Sequence, residues 1–194
     1  MTKLNYTITK SIPIYSKSVN PYQSKLLLLI DSFNQAYVYP DTVSNKLVMG
    51  RVLSKLVICN VDKESGIITG MRVNPQTLKG VEVWRLNFQQ SEEQIVSYAS
   101  DDQLSDDEYQ GIEENDGNIL YKYIDPNLLA VATFSAPNHL NVYIINRSNG
   151  TIIYSGHVYN AYGKDNVKIS FTENRILVSY LKKYVFSINS YNPE

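Results

Sequence analysis

The chain has few of the residues that usually carry chemistry. Among 194 residues there is one cysteine, Cys59, so no internal disulfide can form. There are two histidines, His139 and His157, with no cysteine pair or carboxylate at ligand spacing around them. That pattern argues against a zinc site. No stretch of 18 apolar residues occurs, so no segment of this sequence reads as a membrane-spanning helix. Gly-x-Ser-x-Gly, Gly-x-Gly-x-x-Gly and Gly-x-x-x-x-Gly-Lys are all missing, which removes the usual hydrolase elbow and nucleotide-phosphate cradles. No catalytic, metal-binding or cofactor-binding residue is expected. Basic residues are missing from one long stretch, Leu86 to Tyr121, which instead holds ten acids, leaving nine of the 19 acids against all 18 basic residues elsewhere. Low hydrophobicity and like charge make 91–117 read as an acidic, disordered insertion loop. An acidic docking tail is the alternative. The Asp-x-Asp-x-Asp-Gly spacing of a calcium loop is not there. The basic excess elsewhere is scattered, a poor footprint for nucleic acid.

Tyrosine and short apolar runs are plentiful. Sixteen tyrosines suit a pleated, half-buried surface and favour strands. Leu26–Ile30, Ala36–Tyr39, Leu53–Val61, Ile67–Val73, Val81–Leu86, Ile119–Ile124, Leu128–Phe134, Leu140–Ile145, Thr151–Val158, Val167–Phe171, Arg175–Leu181 and Lys183–Ile188 read as strands. Asp31-Ser32-Phe33-Asn34 and Asp125-Pro126-Asn127 supply turn chemistry between them. Leu128–Phe134 is expected to pair back on Ile119–Ile124. No convincing amphipathic helix is read anywhere. Residues 1–25 read as an N-terminal extension to a single segment covering 1–194.

One hairpin is written twice. Val61-Asp62-Lys63-Glu64-Ser65-Gly66 and Ile145-Asn146-Arg147-Ser148-Asn149-Gly150 each end an apolar strand with Asp or Asn and close the turn on a glycine. The two glycines stand 84 positions apart, about two periods of a propeller blade of roughly 40–50 residues. Val142–Ile145 and Ile152–Tyr154 are apolar on both faces, and strands greasy on both sides need cover on both sides. Blades stacked around an axis give that cover. The fold class read from these patterns is all-β, as consecutive antiparallel blades of a partial propeller. Trp84, the single tryptophan, is expected to pack between blades. Cys59 is expected to be a buried thiol.

The Asp-x-x-Ser-Gly and Asn-x-x-Asn-Gly turns resemble the Asp-x-x-Thr-Gly turn of quinoprotein-like blades. A longer run, Leu120-Tyr121-Lys122-Tyr123-Ile124-Asp125-Pro126-Asn127-Leu128-Leu129, is similar to the Leu-Tyr-Lys-Tyr-Leu-Asn-Pro-Asn-Leu-Leu run of the family of subunit 1 of the endoplasmic reticulum membrane protein complex. The similarity continues through Val142-Tyr143-Ile144-Ile145, Gly150-Thr151-Ile152-Ile153-Tyr154-Ser155 and Phe171-Thr172-Glu173-Asn174, and covers residues 26–191. This chain departs from the family in Asp125, where Asn is expected, in a more acidic stretch at 91–117, and in being far shorter, with neither a signal sequence nor a membrane helix. The expectation is a soluble segment of a longer, membrane-anchored chain.

What the resemblance implies is a non-catalytic lumenal scaffold that supports insertion and folding of membrane proteins. Other complex subunits and client membrane proteins would be its partners, and the fragment would self-associate through exposed blade faces. Tyr121, Lys122, Tyr123, Asp125, Pro126 and Asn127 either shape a strand and its corner or form a subunit contact. Asn5, Asn146 and Asn149 each head an Asn-x-Ser/Thr glycosylation signal, which fits a lumenal setting. The alternative reading is a stand-alone interaction propeller or a quinoprotein-like enzyme, since a fold hosts many functions.

Overall fold

A computed structural model describes residues 7–15, 25–100, 104–105, 110–113, 119–122, 127–172, 175–182 and 185–191. Among them, four antiparallel-dominated sheets follow one another along the chain. The first joins β1 (Ile8–Tyr15), β2 (Lys25–Asp31) and β3 (Ala36–Tyr39) in the order β3-β2-β1, with β8 (Leu104–Ser105) added in parallel beside β1. After a helix, α1 (Val43–Lys55), the second sheet is the meander β4 (Val57–Asp62), β5 (Ile67–Val73) and β6 (Gly80–Asn87). The third runs β7-β11-β12-β13 from β7 (Glu93–Ser100), β11 (Leu128–Ser135), β12 (His139–Asn146) and β13 (Ile152–Tyr159). The fourth is built on β16 (Arg175–Lys182), flanked by β14 (Ala161–Tyr162), β15 (Lys168–Thr172) and β17 (Val185–Tyr191). Between β7 and β11 the chain makes a small ladder of β9 (Gln110–Glu113) and β10 (Ile119–Lys122).

Three apolar layers hold these sheets face to face. Ile12, Ile14, Leu28 and Ile30 of the first sheet pack with Met49 and Leu53 of α1 and with Ile58 and Val73 of the second. Cys59 and Ile68 on the second sheet's other face meet Ile95, Leu129, Val131 and Ile145 of the third. Ala130, Ala132, Val142 and Ile144 on the third sheet's far face meet Ile176, Val178 and Tyr180 of the fourth. Successive side chains of β11 therefore enter different layers, as the period of two dictates. Leu128 to Thr133 are all buried. Each fully buried Leu or Ile here contributes about 1.5–3 kcal/mol of transfer free energy. The double-sided cover expected of Val142–Ile145 is found, and Cys59 is buried.

Five sequence expectations differ from the structure. Ile152, Ile153 and Tyr154 are exposed, on β13, the outermost strand of its sheet. Leu128–Phe134 pairs with β12 and β7 rather than with Ile119–Ile124, whose β10 pairs with β9. The sheet thus reaches across the acidic stretch, a long-range pairing that no local turn signal specifies. That stretch, read as a loop from 91, begins with a regular strand, β7, in contact with β11 along its length. Within the 1–25 extension, Ile8–Tyr15 is a strand registered on all of β2.

The fifth is α1, which lies where the sequence predicts no helix and a strand starting at Leu53. Thr42 is its N-cap, its side chain accepting from the Asn45 N–H at 3.2 Å, and Asn45 Nδ2 donates to the Pro40 carbonyl at 2.8 Å. Met49 and Leu53, one turn apart, are fully buried and anchor it. Gly50 and three valines are weak helix formers, so tertiary burial rather than propensity makes the helix.

Candidate interaction surface

The repeated hairpins are where the sheets are locked together. In the second sheet, Asp62 Oδ1 accepts from the Glu64 and Ser65 N–H groups at 3.1 and 3.4 Å, and Oδ2 accepts from the Ser65 hydroxyl at 2.6 Å. The Ser65 hydroxyl, with these N–H groups, holds the Asp62 carboxyl below its ordinary range. Gly66 closes the turn at φ +65°, and its carbonyl accepts from the Phe88 N–H at 2.9 Å. Lys63 leaves this turn to donate to the Val96 carbonyl at 3.0 Å, with its ammonium 5.5 Å from the Tyr98 ring centroid, so the second sheet's turn rests on the third sheet's first strand.

In the third sheet, Asn146 Oδ1 accepts from the Ser148 N–H at 2.9 Å, and Gly150 N–H donates to the Asn146 carbonyl at 2.8 Å. Gly150 sits at φ +75°. Trp84, on β6 of the neighbouring sheet, covers this turn and donates from Nε1 to the Arg147 carbonyl at 2.8 Å. A Cβ on Gly150 would stand 2.7 Å from the indole, and one on Gly70, paired with Trp84 across β5 and β6, would stand 2.1 Å from it. Trp84 thus packs between sheets, as expected of it, and two glycines make its slot. The sequence signal for that slot is Gly70, since a glycine mid-strand marks a close approach. Arg147 is itself buried, and its N–H donates to the Asn127 carbonyl at 2.6 Å.

Of the residues singled out in the sequence, the structure brings Asn127 and Asn146 together in this seam. The Ser148 hydroxyl donates to Asn127 Oδ1 at 3.2 Å, so Asn127 serves the adjoining hairpin. Asn149 stands on the same turn, exposed. Tyr121 and Lys122 lie in β10, paired with Gly111 and Gln110. Tyr123, Asp125, Pro126 and Asn5 lie outside the described residues.

Two further polar features were not anticipated. On β7, Glu93 accepts from the Thr133 hydroxyl with one carboxylate oxygen and from the Tyr143 hydroxyl at 2.9 Å with the other. Burial, then the Glu93 carboxylate beside it, pushes the Tyr143 phenol above its ordinary value. Glu93 gave no signal in the sequence because it stands in a stretch with ten acids. Between the first and second sheets lies a cleft of about 370 Å³ lined by Lys10, Asp31, Asn60, Asp62 and Arg85, among others. Asp31 is buried there. Burial alone would raise its pKa, but the N–H groups of Gln35 and Phe33 at 2.9 and 2.8 Å and the Tyr37 hydroxyl at 3.1 Å lower it overall. Among the described residues no group of three or more His, Cys, Asp and Glu side chains is placed to hold a metal ion. None of their helices is long and apolar enough to cross a membrane.

Four-sheet stacking with strands covered on both faces, joined at Gly-closed turns, defines consecutive blades of a β-propeller, and the sequence comparisons agree. The family model described as "ER membrane protein complex subunit 1, second beta-propeller" matches residues 2–192, so the chain belongs to that family. The Xenopus laevis protein "ER membrane protein complex subunit 1" is 28% identical over 162 residues, and the Gallus gallus protein of the same name is 29% identical over 162 residues. Each match covers 81% of this chain and 16% of the relative, so the chain spans about a sixth of the curated relatives it matches.

Proposed function

We propose that this chain is a non-catalytic scaffold segment on the lumenal side of the endoplasmic reticulum membrane, part of a longer membrane-anchored chain. In that reading it belongs to the ER membrane protein complex, holds other subunits in place and supports insertion and folding of membrane proteins. The observation that carries the reading is the family match over residues 2–192, joined to an architecture whose polar groups are spent on locking sheets together. Asp62, Asn146, Asn127 and Trp84 all make structural bonds, and rigid stacked blades with exposed rims suit binding rather than turnover. The rim offers Val81 and Val83 on β6 and Ile152 and Ile153 on β13, all exposed. The Tyr121–Asn127 block is the proposed subunit contact, and the outward faces of the first and fourth sheets are where the isolated 194-residue chain would self-associate.

The test is affinity purification of the full-length protein from detergent-solubilised microsomes. Co-purification of membrane-complex subunits, weakened by Tyr121→Ala with Lys122→Glu, is the expected result. Recovery of the protein without any such subunit would overturn the reading.

A further inference from the structure

The two glycosylation signals in the third sheet's turn are adjacent in sequence but differ in surroundings. Asn146 is half-buried at the end of β12. Its side-chain oxygen is held by the Ser148 N–H at 2.9 Å, its own N–H donates to the Thr151 carbonyl at 2.8 Å, and its carbonyl accepts from Gly150 at 2.8 Å. The middle residue of that signal, Arg147, is only 3% exposed and carries the carbonyl that Trp84 binds. The Ser148 hydroxyl, the group such a signal needs two positions on, donates to Asn127. A bulky sugar on Asn146 would have to displace the seam. Asn149 is different. Both Asn149 and Thr151 are exposed, and the Thr151 N–H donates to Asn149 Oδ1 at 3.0 Å. That bond engages only Oδ1 of an exposed side chain, at the tip of the turn rather than in the seam. Gly150 between them is pinned at φ +75° against the indole, so the tip of the turn has one shape.

We infer that Asn149 is the N-glycosylated residue of this turn, and that Asn146 is left unmodified. The inference rests on the lumenal reading above. The step forms a bond from Asn149 Nδ2 to C1 of an oligosaccharide carried on a lipid pyrophosphate. The C1–O bond to the pyrophosphate breaks, the lipid pyrophosphate leaves with the electron pair, and one amide proton passes to the transferase's base. The sugar then stands at the head of β13, beside exposed Ile152 and Ile153 on an outermost strand, where a polar cover blunts edge pairing.

The test expresses the full-length chain in a eukaryotic cell and releases N-glycans enzymatically in heavy-oxygen water. Each asparagine that carried sugar becomes a labelled aspartate, read by peptide mass spectrometry. Label at 149 and not at 146 is expected. Asn149→Gln and Thr151→Ala should each abolish one glycan's gel shift, and Ser148→Ala, which removes only the Asn146 signal, should leave it in place. Label at 146, or no label at 149, overturns the inference. Protease protection in intact microsomes separates the two failures. A protected segment without label at 149 sinks the glycan assignment alone, whereas a segment digested from the cytosolic side sinks the lumenal reading with it.

Discussion

In the second sheet, the turn Asp62–Gly66 is held by its own carboxylate, which gathers the Ser65 hydroxyl and two N–H groups. In the third sheet, the turn Asn146–Gly150 has the same length and the same terminal glycine, but a neutral amide in place of the carboxylate. Its rigidity comes from outside, from Trp84 of the adjacent sheet pressing on Gly150 and bonding the Arg147 carbonyl. Both turns reach a neighbouring sheet, the first by sending Lys63 out to Val96 and Tyr98, the second by receiving Trp84. A repeated motif therefore fixes local backbone shape, while the contact it makes decides how it joins sheets.

The largest expected effect comes from removing that partner. Trp84→Ala should destabilise the protein by about 3 kcal/mol or more in urea unfolding, because a large aromatic and its hydrogen bond are both lost. Trp84→Phe keeps a ring without the Nε1 donor and should cost less than the alanine variant. Next is the glycine pair. Gly66→Ala and Gly150→Ala both force a side chain into the left-handed region, at roughly 1–2 kcal/mol. Gly150→Ala should cost about 1–3 kcal/mol more, because its Cβ meets the indole, whereas the Gly66 Cβ would meet the Gln89 nitrogen at a looser 3.2 Å. Equal losses at the two positions would erase the distinction between the turns.

A smaller contrast lies in pH. The Asp62 carboxyl is held below its ordinary value in the folded chain, so its contribution is present above the unfolded pKa of about 3.9 and is lost as pH falls through the folded value. Asp62→Asn should flatten part of the acid limb of the stability profile, whereas Asn146→Asp should add acid sensitivity to the third sheet's turn. The smallest effect is expected at the rim. Ile153→Thr should change stability by no more than about 0.5 kcal/mol, since Ile153 is exposed despite its apolar strand.

Much of this was legible in the sequence, for reasons particular to each element. The turn residues Asp31, Asp62 and Asn146 act on backbone a few positions away, so their roles could be read locally. Double-sided burial of Val142–Ile145 followed from its apolar alternation failing to alternate. Trp84 had few other places to go in an all-β chain. What was not legible depended on distant partners. The pairing of β11 with β7 spans the acidic stretch, α1 owes its stability to the layer under Met49 and Leu53, and Ile152–Tyr154 are apolar on an outermost strand. The Glu93, Thr133 and Tyr143 cluster likewise joins three strands that no short window contains.

Because Trp84 is the only tryptophan in the 194-residue chain, its fluorescence reports the seam directly. The native chain should show blue-shifted emission resistant to acrylamide quenching, and this signal should be lost together with the β-sheet circular dichroism in one transition. Native emission like that of an indole in water, or a fluorescence transition that precedes loss of the sheets, would contradict a seam in which Trp84 locks one blade to the next.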